Sequence, residues 1–211
     1  MPAQAVISID AMGGDHGPAA TVAGIAYAVR QGARARYLLH GDAAQLEPLL
    51  QGEHAACASY CEVRHTDTFV SMTDKPAEAI RRSRGSSMWN AIAAVKAGEA
   101  QAALSAGNTG ALMTISKVVL RTMENVHRPA IAASWPTPHG FSVVLDVGAN
   151  VEVDAGQLVE FAIMGEAFHR AVHHSERPRV GLLNVGVEDV KGNRIVQAAG
   201  QMFRGAHLDL N

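Results

Sequence analysis

Short apolar runs alternate with amphipathic stretches almost from end to end, and this alternation restricts the fold more than any other feature of the sequence. Ala5-Val6-Ile7-Ser8-Ile9 stops at Asp10 and a glycine-rich turn, so it reads as a buried strand. Helical spacing runs from Ala19 to about Gln31. Arg36 to His40 is a second strand closed by Gly41-Asp42, followed by a weaker helix and a strand from Ser59 to His65. Pro76 suits the first turn of a helix, where its missing N–H would have no partner anyway. Ser86 to Gly98 reads as a helix, Ala102 to Ser105 as a strand, and Asn108 to Met123 as a helix with Leu112, Ile115 and Val119 on one face. Phe141 to Leu145 is the next strand. The long helix from Asp154 to His173 carries a core-facing stripe of Leu158, Phe161, Gly165, Phe168 and Val172. A strand at Arg179 to Val185 and a helix at Gly192 to Arg204 complete the series. Strands separated by helices imply crossovers and a mainly parallel sheet covered on both faces, which is an α/β layered fold.

A chain of 211 residues, 48% hydrophobic and 18% charged, has enough apolar material for one globular domain over residues 1–211. The expected domain is incomplete at its C-terminal end, because Ala206 to Asn211 fall where a following strand should begin. Net charge is −2 with no basic stripe and interleaved aromatics, so nothing favours nucleic-acid binding. The N-terminus lacks the basic and apolar regions of a signal peptide, and no run reaches the roughly 18 apolar residues of a membrane span. A soluble, cytoplasmic chain is the expectation. Cys57 and Cys61 are placed on one face of a strand as two reduced thiols.

Ligands of parallel sheets bind beyond the carboxyl ends of the strands, where loops lead into helix N-termini. Four loops there have unusual content: Asp10 to Pro18, Ser105 to Gly110, Asp146 to Asn150 and Asn184 to Asn193. Glycine lets backbone N–H groups approach an anion, a helix N-terminus adds partial positive charge, and Asn and Thr add neutral donors. Only Lys191 adds a full positive charge. The combination suits phosphate beside a developing oxyanion. Each loop alone has a plainer reading: Asn108 as the N-cap of a helix, Asp146 to Asn150 as a strand-ending turn, Asp15-His16 as a structural pair, Lys191 as a solvated lysine. The functional reading rests on all four loops falling on one edge of one sheet. The candidate catalytic residues are Lys191, His16 and Asn184. The candidate substrate-binding residues are Asp10, Gly13, Gly14, Asp15, Gly107, Asn108, Thr109, Gly110, Asn150 and Asn193.

His169 and His173 could share a metal at helical spacing, but with His174 adjacent and no further ligand nearby they read as a solvated face, so no metal is assigned. The sequence contains no Gly-x-Ser-x-Gly elbow, Walker loop or Gly-x-Gly-x-x-Gly, which removes the standard hydrolase, NTPase and dinucleotide readings.

IDAMGGDHGP, TDKPAEAIRRSRGSSM, SAGNTGALM, RPAIAA, LDVGANV, FAIMG and RPRVGLLNVGVEDVKGN stand in the order and near the spacing of the bacterial phosphate acyltransferases, and the chain resembles that family from Ile7 to about Gly200. The resemblance implies a three-layer αβα sandwich, similar to phosphotransacetylases and to isocitrate and isopropylmalate dehydrogenases. It implies transfer of a fatty acyl group from acyl-carrier protein to inorganic phosphate, giving acyl phosphate for a glycerol-3-phosphate acyltransferase downstream in phospholipid synthesis. It further implies a homodimer peripherally associated with the membrane, without metal or organic cofactor. Members of that family are longer and carry a further part of their site C-terminal to the region matched here. An acetyl-CoA phosphotransacetylase, or a non-catalytic fragment that binds anions or acyl-carrier protein, stays open beside this reading.

Overall fold

Val6–Asp10 forms β1, rich in the β-branched residues that fit a pleated surface, and buried deepest at Ser8, Ile9 and Asp10. It pairs in parallel with β2 (Arg36–Gly41) on one side and β4 (Ala102–Ser105) on the other, and β2 pairs with β3 (Cys61–His65). The sheet order is therefore β3-β2-β1-β4. The computed structural model describes residues 4–74, 81, 83–150, 152–186 and 191–205, which belong to two compact units, Met1–Arg121 and Thr122–Asn211.

In the first unit two helices cover one face of the sheet. Helix α1 (Gly17–Arg30) starts with Pro18 in its first turn, and α2 (Ala43–Gln51) is capped by Asp42, which accepts from Ala44 N at 3.0 Å. Val22, Ile25, Leu46 and Leu50 from these helices pack with Ile9, Tyr37 and Leu39 of the sheet. Helix α3 (Ser87–Lys96), capped by Ser86, lies on the opposite face, where Ala94 meets Leu38. Helix α4 (Thr109–Leu120) packs against α3 through Met88, Ile92, Ala111, Ile115 and Val119. The α/β class and mainly parallel sheet expected from the sequence are what the structure has.

The second unit differs from expectation. β6 (Gly140–Leu145) pairs antiparallel with β5 (Ala132–Thr137) through a two-residue turn, so Phe141 to Leu145 is not a parallel strand of the main sheet. A turn that short can only reverse the chain, whereas a parallel neighbour needs a long crossover. Helix α5 (Ala155–His173) begins with a full capping box between Asp154 and Gln157 and packs on β6. Its stripe is rotated from the expected one: Phe161 is buried and Gly165 abuts Leu145, but Phe168 and Val172 are exposed. His169 and His173 point to β6, Nε2 of His169 lying 3.4 Å from the Phe141 carbonyl and His173 stacking on the Phe141 ring, so they are not a solvated face. Arg179 to Val185 is not a strand, and Leu183 and Val185 are 85% and 87% exposed. An extended apolar segment becomes a strand only with a neighbour to accept its backbone hydrogen bonds, and among the described residues it has none. The last helix, α6 (Arg194–Gly205), starts where Asn193 Oδ1 accepts from Ile195 N and Val196 N, both at 3.0 Å.

Cys57 lies in a 3-10 helix (Ala55–Tyr60) and Cys61 opens β3, so they are not on one strand face. Both are free thiols, and burial first, then the neighbouring Cys57, pushes the Cys61 thiol up to about 12. The helix expected from Pro76 falls outside the described residues.

Candidate active site at the β1–β4 switch point

The chain leaves β1 toward β2 on one side and later returns to place β4 on the other. The loops after β1 and β4 therefore diverge and leave a crevice beyond their carboxyl ends, the place where open α/β sheets bind ligands. Asp10 and Ser105 are register partners at these two strand ends. Ser105 Oγ donates to Asp10 Oδ2 at 2.6 Å and accepts from Gly107 N at 3.0 Å, which ties the loops together. The backbones approach too closely for side chains. A Cβ on Gly13 would stand 2.7 Å from Asp10 Oδ2 and 2.8 Å from Gly107 N, and Gly14 has φ +95° beside Ala106.

A polar row runs across the sheet at this level. Ser105, Asp10, His40 and Arg64 are successive register partners on β4, β1, β2 and β3. Asp10 and His40 are 3% and 4% exposed, and Ser8 and Ser87 are fully buried. Among the described residues, Asp10 Oδ1, His40 Nε2, Ser8 Oγ and Ser87 Oγ have no hydrogen-bond partner. Burial, and secondly the Arg64 guanidinium, push the His40 imidazole down to about 4, so it is neutral near pH 7. Arg64 itself is held by Glu62 at 3.1 Å and by Glu99.

The first two loops place the expected residues together, but not all in the expected roles. Asn108 is the N-cap of α4: its Oδ1 accepts from Ala111 N, while Nδ2 donates to the carbonyls of Met72 and Asp74, each at 3.0 Å. Its side chain and the N–H of Gly107 are thus engaged within the protein. The N–H groups of Thr109 and Gly110, in the first turn of α4, are the ones a helix leaves for a ligand. Asp15 and His16 are exposed at the start of α1, and the His16 side chain makes no cap bond.

The other two loops lie in the second unit and do not share this sheet edge. The Asp146 to Asn150 loop follows β6 of the two-stranded sheet, and Asn184 to Asn193 follows no strand. The expectation of four loops on one edge is therefore corrected to two. Asn150 Nδ2 donates to Asp146 Oδ2 at 2.8 Å and to the Pro129 carbonyl at 3.1 Å, bracing its own loop. Asn184 Nδ2 donates to the Lys191 carbonyl at 3.1 Å, and Asn184 packs against Gly192. Asn193 caps α6. The Lys191 side chain is exposed, and 187–190 lie outside the described residues.

Residues 5–208 match the family described as fatty acid synthesis protein. The chain belongs to that family. Curated relatives within reach of it include the phosphate acyltransferases of Maricaulis maris, 63% identical over 212 residues, and of Caulobacter vibrioides, 58% identical over 206 residues. These matches take in 100% and 98% of this chain, and it spans 60% and 57% of the length of those relatives. The EutD phosphotransacetylase from Staphylococcus aureus shares the fold at a TM-score of 0.58 and 16% identity, covering 98% of this chain and 66% of that one. Two parts of this family member's site escaped the sequence reading. Ser105 was expected at the end of a strand and the start of a loop but not as the partner of Asp10, although a serine ending one strand opposite an aspartate ending another is a pairing signal. The second was His40, since nothing in Leu38-Leu39-His40 announces a buried imidazole.

Proposed function

We propose that the protein carrying this chain transfers a fatty acyl group from acyl-carrier protein to inorganic phosphate, releasing acyl phosphate and the free carrier thiol. Identity of 58–63% to phosphate acyltransferases over essentially all of the chain carries the reading. The switch-point crevice supports it with chemistry suited to the reaction. The first turn of α4 offers the N–H groups of Thr109 and Gly110 to a phosphate dianion, and its dipole favours the charge. A phosphate oxygen attacks the thioester carbonyl, the carbonyl electrons move onto oxygen, and collapse of the tetrahedral species expels the thiolate. His16, exposed at the crevice mouth, gives the departing sulfur its proton. Holding phosphate beside the carbonyl supplies proximity, and fixed N–H dipoles supply stabilisation of the oxyanion. Lys191, the basic residue of its loop, and Asn184, whose side chain donates to the Lys191 carbonyl at 3.1 Å, lie in the second unit and are the further catalytic candidates of this reading. The product would feed a glycerol-3-phosphate acyltransferase, with the enzyme acting as a homodimer at the membrane surface. Among the described residues no helix is long and apolar enough to cross a membrane.

The deciding experiment is phosphate-dependent release of carrier thiol from long-chain acyl-carrier protein, with acetyl-CoA as the competing donor, using the full-length protein. Preference for acetyl-CoA, or no release from either donor, would overturn the reading. Replacing Lys191 with Ala should lower kcat/KM by about one to two powers of ten while circular dichroism stays unchanged.

A further inference from the structure

Beside the polar crevice, and entirely within the first unit, a groove of about 690 Å³ runs between α1 and the β1–β4 edge. Its floor is Ile7, Ile9 and Leu104, and Leu104, on the edge strand β4 where it pairs with Ile9, is 58% exposed. Its wall is the face of α1 that presents Ala20, Gly24 and Ala28, one small residue at every fourth position. Polar groups are gathered at one end, where Asp10, Asp15 and His16 line it together with Gly13 and Gly14. Asp10 at that end is 3% exposed, and its Oδ1 has no partner among the described residues.

From this geometry we infer that the groove takes the hydrocarbon chain of the acyl donor, with the thioester at the polar end and the tail running along α1. The inference deepens the acyl-transfer reading and rests on it. The helix rises about 16 Å from Gly17 to Ala28, the length of about a dozen extended methylenes. The volume falls in the range of ordinary small-molecule sites. Asp10, Gly13, Gly14, Ser105 and Ala106 of the two crevice loops line the polar end of the groove, which sets one end of the ligand. The small residues of α1 keep the trough open: a Cβ added to Gly24 would meet nothing within 4 Å.

Gly24 therefore allows a test that does not disturb the fold. In the full-length protein, Gly24→Phe should fill the trough, while Gly24→Ala should leave it open and serve as the control. Two readouts are measured: binding of a fluorescent polyene fatty acid, and the ratio of turnover with palmitoyl to butyryl carrier protein. Gly24→Phe is expected to weaken probe binding and to lower the ratio, each by roughly tenfold or more, with the melting temperature not lowered. Unaltered probe affinity and ratio in Gly24→Phe would overturn the assignment. So would a wild-type protein that binds no probe together with a Gly24→Phe variant of lowered melting temperature, since another segment of the polypeptide would then occupy the trough. Probe binding is read without phosphate, so a protein that binds the fatty acid but transfers no acyl group would sink the acyl-transfer reading and leave the apolar-chain site standing.

Discussion

Ser105 Oγ lies 2.6 Å from Asp10 Oδ2, joining the ends of two adjacent parallel strands through one hydroxyl that also accepts the Gly107 N–H. This bond is the only one the structure shows to the Asp10 carboxyl among the described residues, because Oδ1 has no partner. Replacing Ser105 with Ala should therefore destabilise the fold by about 2 kcal/mol, within the range for hydrogen bonds to charged groups. Urea unfolding checks it: the midpoint should fall with the slope unchanged.

Two glycines of the first unit should respond oppositely to the same methyl group. Gly13→Ala forces a Cβ to within 2.8 Å of the Gly107 nitrogen, which must move, and should cost at least about 2 kcal/mol. Gly24→Ala adds a methyl in open space on a helix and should stabilise by about 0.5–1 kcal/mol. Thermal melting of the two variants side by side gives shifts of opposite sign.

Phosphate should raise the melting temperature, and sodium chloride at equal ionic strength should not, because a ligand of the native state stabilises by mass action. Thr109→Pro keeps the helix start, where proline is tolerated, but removes one N–H from the anion site. The phosphate-dependent shift should shrink in that variant. Asn108→Ala, which loses the cap and the anchors to Met72 and Asp74, should instead lower the melting temperature in both buffers by about the equivalent of 2 kcal/mol.

His40 predicts a pH dependence. The native imidazole stays neutral down to about pH 4, whereas an unfolded histidine takes its proton near 6.5. Between these values the unfolded chain binds a proton that the native state refuses, so stability falls as pH drops. The contribution is full above 6.5 and gone below 4, on the order of 2 kcal/mol once solvent screening is allowed for. The neighbours that set it are Arg64, Glu62 and Glu99, with Asp10 as register partner. His40→Gln should flatten the stability curve between pH 6.5 and 4, read by urea titrations at each pH.

The first unit was largely legible in the sequence because its signals are local: apolar runs of strand length, caps such as Ser86 and Asn108, and glycines where loops cross. Ala102 to Ser105 was placed to the residue. The hairpin of the second unit was not, because Pro136 and Pro138 look like loop residues and Pro136 is nevertheless accommodated in a strand of a two-stranded sheet. The candidate site was half legible for a related reason. Residue types at loop positions show which groups could bind an anion, but which are already spent within the protein depends on partners far along the chain, as Asn108 with Met72 and Asn150 with Pro129 illustrate.

The five residues of β1 face two different solvents. Ile7 and Ile9 look toward the trough beside α1, while Asp10 stands in the buried polar row with Ser105 and His40, and Ser8 shares its side of the strand. Adding or deleting a single residue within Val6–Asp10 would exchange the two sets, turning a carboxylate into the oily channel and an isoleucine into the polar row. The strand is thus a partition whose length is fixed from both sides at once. Insertions near this site belong in the turns at its ends, and variation in the width of the trough would arise from α1 rather than from the strand it covers.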